Sequence, residues 1–439
     1  MSGVETAPNV LLVVLDSVRA HNCSLYGHRR PTTPFLESLA AESTVYTQAR
    51  APSNWSLPSH VSLFTGLEAH EHRVTVHDRL LPGNTVFETL AAEGYDTGLF
   101  TENGFVASHK VGLKDAFQTV ETVPDSCPGG YDTTALNPGP DGFYYADSFD
   151  SWVTDRDGPW AACVNFMDAH RPFEPRAAFD RWGDDEARAL QRDLPTRWEW
   201  AFHGGDRPYW QLNGLEALYD GGIRQADALV ERLLGRLRDD GVLDETLVVI
   251  CGDHGDGFGR PGLLPDEPPA VSHIVPMHET LLYVPLVVRP PGGGDGRRCH
   301  RPAALTAFPS VVESALDGEP IVDGFARDRV LTTKQPVTAD LRERFEDACV
   351  DPSQFLAPSR AVYRPDPDDE RAVRKRYYWG ETAAECRIHG PGAVSRSERI
   401  EPHRVDEAFT EAQPGVREPL EGRQASDATK EQLAALGYY

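Results

Sequence analysis

The stretch NWSLPSHVSLFTG (Asn54–Gly66) places a serine hydroxyl at the start of a predicted short amphipathic helix. Pro58 suits a first helical turn, where its missing N–H costs nothing, and Leu57 and Val61 recur at helical spacing. The free N–H groups and the dipole of a helix N-terminus favour negative charge, so Ser56 lies where an anion would bind. The plain alternative is an N-cap serine. A nucleophile at this position needs partners from elsewhere in the chain.

Polar residues that could act as partners follow three predicted strands. Asp16 comes directly after NVLLVVL, Asp168 and His170 follow WAACVNF, and Asp253 and His254 follow TLVVIC. Each of them alone has a plain explanation as a helix cap or a turn residue. Because ligands of parallel sheets bind outside the carboxyl ends of the strands, we expect these side chains to converge with the serine.

Two carboxylates, an imidazole and a hydroxyl oxygen together make a divalent-cation site. Such a cation would lower the pKa of the Ser56 hydroxyl and neutralise charge on a bound oxyanion. This chemistry suits attack on a tetrahedral sulfate or phosphate ester. His170 or His273 could then protonate the leaving alcohol.

The elements that must position these residues alternate between apolar strands and helices, which predicts a mostly parallel sheet covered by helices on both faces. The predicted strands are Asn9–Leu15, Tyr95–Phe100, Trp160–Phe166, Thr246–Cys251 and Val284–Val288. The predicted helices include Pro34–Glu42, Asn84–Gly94 and Arg224–Gly241.

The pattern changes near residue 328, where RAVYRP and VRKRYYWG predict antiparallel strands. We therefore divide the chain into an α/β catalytic domain, residues 1–327, and a small C-terminal α+β subdomain, residues 328–439. The subdomain is expected to contain a poorly ordered polar segment, Ser395–Ala428, and a terminal helix.

The composition is acidic and poor in lysine. The net charge is −25, and the five lysines are Lys110, Lys114, Lys334, Lys375 and Lys430. Such a surface fits a protein kept soluble in high salt, as in halophiles. No basic stripe exists to meet phosphates, so nucleic acid is not an expected partner.

The cysteines and the N-terminal residues indicate where in the cell the protein is expected. The seven cysteines are scattered without a C-x-x-C pair, which argues against a disulfide framework or a zinc-thiolate site. No basic region precedes an apolar leader, and NVLLVVLD is too short to span a bilayer. We therefore expect a cytoplasmic protein without a transmembrane segment.

Six motifs in order carry a family resemblance. They are NVLLVVLDSVRAHNCSLYG, TTPFLESLAAE, SLPSHVSLFTGLEAHEHRV, GDHGD, HETLLYVPLVVRPPG and the terminal LAALGYY. In order and spacing the chain resembles the sulfatase branch of the alkaline phosphatase superfamily over most of Pro8–Gly292. The resemblance implies an alkaline-phosphatase-like α/β core with a small C-terminal antiparallel subdomain. It also implies one divalent cation, with Ca²⁺ first and Mn²⁺ or Mg²⁺ as alternatives.

The resemblance assigns roles residue by residue. The metal ligands would be Asp16, Ser56, Asp253 and His254. Ser56 would be the nucleophile, at a position that sulfatases fill with a Cys or Ser oxidised to formylglycine by a maturase within a C/S-x-P-x-R motif. His170 would be the acid or a substrate ligand.

The chain departs from the family pattern at several positions. His60 stands where the motif has arginine, and Ser17 stands where many members carry a second metal-binding aspartate. The family has two substrate-binding lysines, and this chain has no lysine at either position. Asn103 lies near the position of the first lysine in the sequence, and His273 or Arg260 lies near that of the second. The predicted substrate contacts are His60, His77 and Asn103.

Three functions follow from these observations. The first is metal-dependent hydrolysis of a small-molecule or glycan sulfate ester, of the arylsulfatase type, through Ser56 as formylglycine. The second is attack of an unmodified Ser56 on phosphorus, in a phosphomonoesterase, a phosphodiesterase or a phosphoglycerol-type transferase. The third is a non-catalytic protein that binds an anionic glycan or lipid headgroup.

Overall fold

The computed structural model describes residues 7–107, 110–124, 141–195, 197–265, 267–273, 277–334, 337–349, 351–410 and 412–420. The strands are β1 (Asn9–Leu15), β2 (Thr44–Tyr46), β3 (Ala49–Arg50), β4 (Asp78–Leu80), β5 (Asp96–Phe100), β6 (Thr119–Glu121), β7 (Trp160–Phe166), β8 (Thr246–Gly252), β9 (Phe258–Arg260), β10 (Ala270–Val271), β11 (Leu286–Arg289), β12 (Arg297–Cys299), β13 (Ala303–Ala304), β14 (Val330–Thr333), β15 (Ser359–Asp366), β16 (Asp369–Trp379), β17 (Thr382–Gly390), β18 (Ala393–Ile400) and β19 (Arg417–Pro419). The α-helices are α1 (Pro34–Leu39), α2 (Ser56–Thr65), α3 (Ala69–His72), α4 (Val86–Ala92), α5 (Gly104–Ala107), α6 (Gly142–Thr154), α7 (Asp185–Asp193), α8 (Glu199–His203), α9 (Leu212–Asp239), α10 (Glu279–Leu282), α11 (Phe308–Leu316), α12 (Ala339–Ala348), α13 (Ser353–Leu356) and α14 (His403–Asp406).

The main sheet has eight strands in the order β12-β2-β11-β8-β1-β7-β5-β6. Its central strand β1 is parallel to β7 and to β8, and β11 is antiparallel to both of its neighbours. The apolar residues of β1 alternate between two cores. Val10 and Leu12 pack on the side of α2, whereas Leu11 and Val13 pack on the side of α9. The predicted mostly parallel sheet with helices on both faces is thus confirmed.

The helix predicted over Arg224–Gly241 is longer than expected. It begins at Leu212, because two of its glycines serve close packing rather than helix termination. A Cβ on Gly222 would lie 2.2 Å from the carbonyl oxygen of Asp168, and one on Gly221 would lie 2.8 Å from Pro175 Cγ. The glycines let α9 approach the chain that follows β7.

The C-terminal sheet is antiparallel, in the order β14-β15-β16-β17-β18. Its inner face shares a hydrophobic core with α10, in which Tyr363 and Tyr377 meet Leu281 and Leu282. The predicted antiparallel C-terminal part is therefore confirmed, and β14 begins at Val330, close to the proposed boundary.

The expected polar segment Ser395–Ala428 is not uniformly unstructured. Residues of β18 pair with β17, α14 follows, and β19 pairs with β4 of the main domain. Strand pairing satisfies the backbone here although the side chains are polar. The predicted terminal helix lies outside the described residues. Among the described helices, none combines the length and the apolar character needed to cross a membrane.

Candidate active site

The predicted metal ligands meet at the carboxyl ends of β1 and β8. Leu15 pairs with Gly252, so Asp16 and Asp253 leave neighbouring strands side by side. One ligand atom each of Asp16, Asp253 and His254 lies within 4.8 Å of the other two. Ser56 Oγ is 3.1 Å from His254 Nε2 and 3.5 Å from Asp16 Oδ2. The four side chains predicted to share one cation are brought together and are buried.

The start of α2 directs the serine into this group. Trp55 is the residue at the N-cap and Ser56 is the first helical residue. No side chain caps the helix, so the plain reading of Ser56 as an N-cap is wrong. Leu57 and Val61 are fully buried and fix the helix against the sheet.

The turn after β1 is strained and bonded to the site. Ser17 has a φ of 60°, which is costly for a residue with a Cβ. Its N–H donates to Asp253 Oδ1 and its Oγ donates to Asp16 Oδ1, each at 3.0 Å. The strained turn therefore connects the two carboxylates, and Ser17 adds a hydroxyl where the family resemblance suggested an aspartate.

The carboxylates suit a cation. Burial and the neighbouring Asp16 carboxylate raise the pKa of Asp253. Burial opposes ionisation of Asp16, but the imidazoles of His170, His254 and His60 outweigh it and lower its pKa. Among the described residues, none donates a hydrogen bond to Asp253 Oδ2, although His254 Nε2 lies 3.4 Å from it. A divalent cation would satisfy this oxygen, and two carboxylates with an imidazole and a hydroxyl are fitting ligands.

Amide groups surround Asp16 on the other side. Asn103 Nδ2 donates to Asp16 Oδ2 at 2.8 Å, and Asn165 Nδ2 lies 3.3 Å from the same oxygen. Asn165 Oδ1 accepts from the hydroxyl of Thr101 at 2.8 Å. Asn165 was not among the predicted site residues, although an amide inside the apolar strand WAACVNF was a visible signal.

His60 is fully buried one helical turn after the nucleophile position. Its Nδ1 donates to the carbonyl oxygen of Ser56 at 2.9 Å, and its Nε2 lies 3.5 Å from Asn165 Nδ2. Both ring nitrogens are therefore directed at protein groups. The ring supports the start of α2, and a contact of His60 with substrate stays a prediction.

Two further imidazoles extend the group. The ring centroid of His273 lies 4.7 Å from that of His254 and 5.5 Å from that of His170. Burial, followed by the nearby His254 and His170, lowers the pKa of His273 well below its usual value. His170 Nδ1 donates to the carbonyl oxygen of Arg171 at 2.7 Å. Both predicted acid candidates lie in the site.

Asp256, the last residue of GDHGD, was not among the predicted site residues. Its Oδ1 lies 3.9 Å from His273 Nδ1 and accepts from the N–H of Gly257 at 2.9 Å. Burial raises the pKa of this carboxyl to about 6, although His170 and His254 act in the opposite direction.

The remaining predicted substrate contact is His77. His77 lies exposed in the turn before β4, and its carbonyl accepts from the N–H of Leu420 at 2.8 Å. A contact of His77 with substrate stays a prediction.

Comparison with known proteins decides the family. A family model described as Sulfatase matches residues 8–312, which is more than half of the chain. The chain belongs to the sulfatase family. Human arylsulfatase A is 27% identical over an alignment of 287 residues that covers 57% of this chain and 53% of the human protein. This sulfatase-family chain thus matches about half the length of that relative.

Solved structures agree on the fold. A phosphonate monoester hydrolase of Agrobacterium radiobacter aligns with a TM-score of 0.64 at 19% identity, over 87% of this chain and 89% of that chain. An alkaline phosphatase superfamily protein from Vibrio parahaemolyticus aligns with a TM-score of 0.52 at 14% identity, over 98% of this chain and 85% of that chain. The predicted resemblance and fold class are confirmed for this sulfatase-family protein.

Proposed function

We propose that this protein is a metal-dependent hydrolase of sulfate esters with Ser56 as its nucleophile. The observation that carries the proposal is the position of Ser56 Oγ, 3.1 Å from His254 Nε2 and 3.5 Å from Asp16 Oδ2 in a buried two-carboxylate group. Membership of the sulfatase family and similarity to an arylsulfatase support the choice of sulfate. Small-molecule or glycan sulfate esters are the proposed substrates.

Asp16, Ser56, Asp253 and His254 would hold the cation, with Ca²⁺ as the first choice and Mg²⁺ or Mn²⁺ as alternatives. When bound, such a cation lowers the pKa of a coordinated hydroxyl and neutralises charge on a tetrahedral oxyanion. The free N–H groups at the start of α2 favour the same anion. The amide of Asn103 holds Asp16 in place at 2.8 Å.

His170 is the proposed general acid. Its Nδ1 is bonded to the carbonyl oxygen of Arg171, which leaves Nε2 as the nitrogen that exchanges a proton with the leaving alcohol. His273 has a lowered pKa, so its imidazole is neutral and suits hydrogen bonding to the ester better than proton delivery.

Attack on a phosphate or phosphonate ester by an unmodified Ser56 is the second candidate. The observation that favours it is His60, which is bonded to the carbonyl oxygen of Ser56 where the family motif C/S-x-P-x-R has arginine. The structural neighbour named a phosphonate monoester hydrolase supports the same alternative.

Paired assays test the proposal. Aryl sulfate, aryl phosphate and aryl phosphonate esters are offered to the purified protein with Ca²⁺, Mg²⁺ or Mn²⁺. We expect aryl sulfate to be preferred, and Ser56→Ala to lower kcat at least about a thousandfold, as nucleophile removal does. Ser59→Ala, a buried serine of the same helix, is the matched control. Equal kcat in Ser56→Ala and Ser59→Ala would refute the nucleophile role.

A mass spectrum of the tryptic peptide 51–73, from protein purified from its native or a closely related host, separates the two chemistries. Loss of two hydrogens at Ser56 means formylglycine and a maturase as partner, which favours sulfate. An unmodified serine in active protein favours direct attack on phosphorus.

A further inference from the structure

The segment that carries His273 is held from two sides by residues outside the group described above. The strands β9 and β10 form a hairpin between Asp256 and His273. At its base, Gly257 and Ser272 exchange backbone hydrogen bonds of 3.0 and 3.1 Å. The placement of the His273 ring beside His254 and His170 therefore depends on what holds this hairpin.

The first anchor comes from the turn before the nucleophile. Asn54 Nδ2 donates to the carbonyl oxygen of His273 at 2.7 Å. Asn54 is 2% exposed and stands two residues before Ser56. A single side chain thus connects the backbone of His273 with the start of α2.

The second anchor comes from the C-terminal sheet. Lys375 and Tyr377 alternate on β16 and so face the same side. Tyr377 donates its hydroxyl to Glu267 Oε2 at 2.8 Å, and Glu267 accepts in turn from the N–H of Leu263. These contacts fix the far end of the hairpin.

Lys375 contacts two residues that follow His273 in the chain. Its Nζ donates to the carbonyl oxygen of Met277 at 2.7 Å and lies 2.9 Å from Glu279 Oε1. Next to Met277, His278 Nε2 donates to the carbonyl oxygen of Pro261 at 2.8 Å. The C-terminal sheet therefore contacts the hairpin at Glu267 and the segment after His273 at Met277 and Glu279.

We infer that Asn54 and Tyr377 are positioning residues that hold the ring of His273 beside His254, the imidazole that contacts Ser56. The inference rests on the proposed function for its catalytic consequence, whereas the anchoring itself stands on the contacts above. Because a misplacement of about 1 Å can cost about a hundredfold in rate, loss of either anchor is expected to act through His273.

The test uses Asn54→Ala and Tyr377→Phe in the full metal-loaded chain. The matched controls are Ser53→Ala, which removes the hydroxyl that donates to the carbonyl oxygen of Thr333 at 2.9 Å, and Arg376→Met on the opposite face of β16. We expect kcat/KM to fall between about tenfold and a hundredfold in the two test variants and less than about threefold in the controls. Melting temperatures verify that all four variants fold.

Each test variant is also combined with His273→Ala. If the anchors act through His273, removal of Asn54 or Tyr377 adds no further loss in that background. The same loss with and without His273 would overturn the inference. So would activities of the test variants that equal those of the controls.

Hydrogen exchange of the backbone amides in residues 257–273 gives a readout that does not need turnover. Exchange should accelerate in Asn54→Ala and in Tyr377→Phe and stay unchanged in the controls. Unchanged exchange in both test variants would overturn the anchoring. If the wild type hydrolyses none of the esters, the proposed function fails and the exchange data alone decide the anchoring.

Discussion

Asp253 uses its two carboxylate oxygens differently. Oδ1 accepts from the backbone N–H groups of Ser17 and His254, at 3.0 and 2.8 Å. Oδ2 accepts from no donor among the described residues, although it is buried. A buried carboxylate oxygen that accepts no hydrogen bond is destabilising, and the neighbouring Asp16 carboxylate repels it. A bound cation would offset both costs.

Asp253→Asn should therefore change stability in opposite ways without and with metal. Without metal, we expect the melting temperature to rise, because the neutral amide relieves the repulsion from Asp16. With Ca²⁺, Mg²⁺ or Mn²⁺, the stabilisation seen in the wild type should be lost, since metal affinity falls at least about tenfold. Thermal unfolding with and without each metal measures both effects.

Asp256→Asn is the control for this prediction. Asp256 is buried and its pKa is also raised by burial, but it is not among the proposed ligands. We expect this variant to keep the metal-induced rise in melting temperature. An equal metal-induced rise in Asp253→Asn would contradict the assignment of the metal site.

At the scale of elements, the turn between β8 and β9 is pressed against α10 and the chain after β1. The N–H of Gly255 donates to the carbonyl oxygen of Leu281 at 2.8 Å. A Cβ on Gly255 would lie 2.1 Å from the carbonyl oxygen of Thr280 and 2.8 Å from Arg19 Cβ. Only a glycine permits this approach, which sets where Asp253 and His254 stand.

Gly255→Ala is expected to lower the free energy of unfolding by about 1–3 kcal/mol, because the methyl group meets backbone that cannot move away. Metal affinity should fall as well, since the clash shifts the turn that carries two ligands. Gly235→Ala in α9 is the matched control, because a Cβ there meets no atom within 4 Å. It should raise stability by up to about 1 kcal/mol. Urea unfolding of both variants distinguishes the two effects, and equal changes would contradict the packing argument.

For the molecule as a whole, regular patterns were sufficient to predict the sheet but not the contacts between distant segments. Strands such as Asn9–Leu15 and Trp160–Phe166 matched because an apolar run buried on both faces has few alternative structures. The first turns of α9 were not predicted, and they contain Gly221 and Gly222, whose close packing against Pro175 and Asp168 is a tertiary contact.

In the candidate active site, too, some features followed from regular sequence patterns and others depended on contacts between distant segments. The ends of parallel strands predicted that Asp16, Asp253 and His254 would converge. The strained φ of Ser17 and the bond from Asn54 to His273 depend on tertiary contacts that no local pattern encodes.

The junction between the two sheets contains a buried ion cluster. Glu279, the first residue of α10, has Oε2 3.0 Å from Arg50 Nε of β3 and Oε1 2.9 Å from Lys375 Nζ of β16. Tyr363 donates its hydroxyl to the same Oε1 at 2.8 Å. Burial alone would raise the pKa of Glu279, but Lys375 and Arg50 outweigh it and hold the pKa at about 2.

Glu279→Gln should lower the free energy of unfolding at neutral pH by about 3–5 kcal/mol, because it leaves two buried cations without their anion. Since the folded pKa of about 2 lies below the ordinary value of 4.5, the stabilising contribution is present above pH 4.5 and disappears as the pH falls towards 2. The stability gap between wild type and variant should therefore narrow between pH 5 and pH 3, measured by urea unfolding at each pH. Glu407→Gln, which removes the exposed partner of Arg404, should change stability by less than about 1 kcal/mol at every pH. A gap that stays constant with pH would mean that Glu279 acts through packing rather than through its charge.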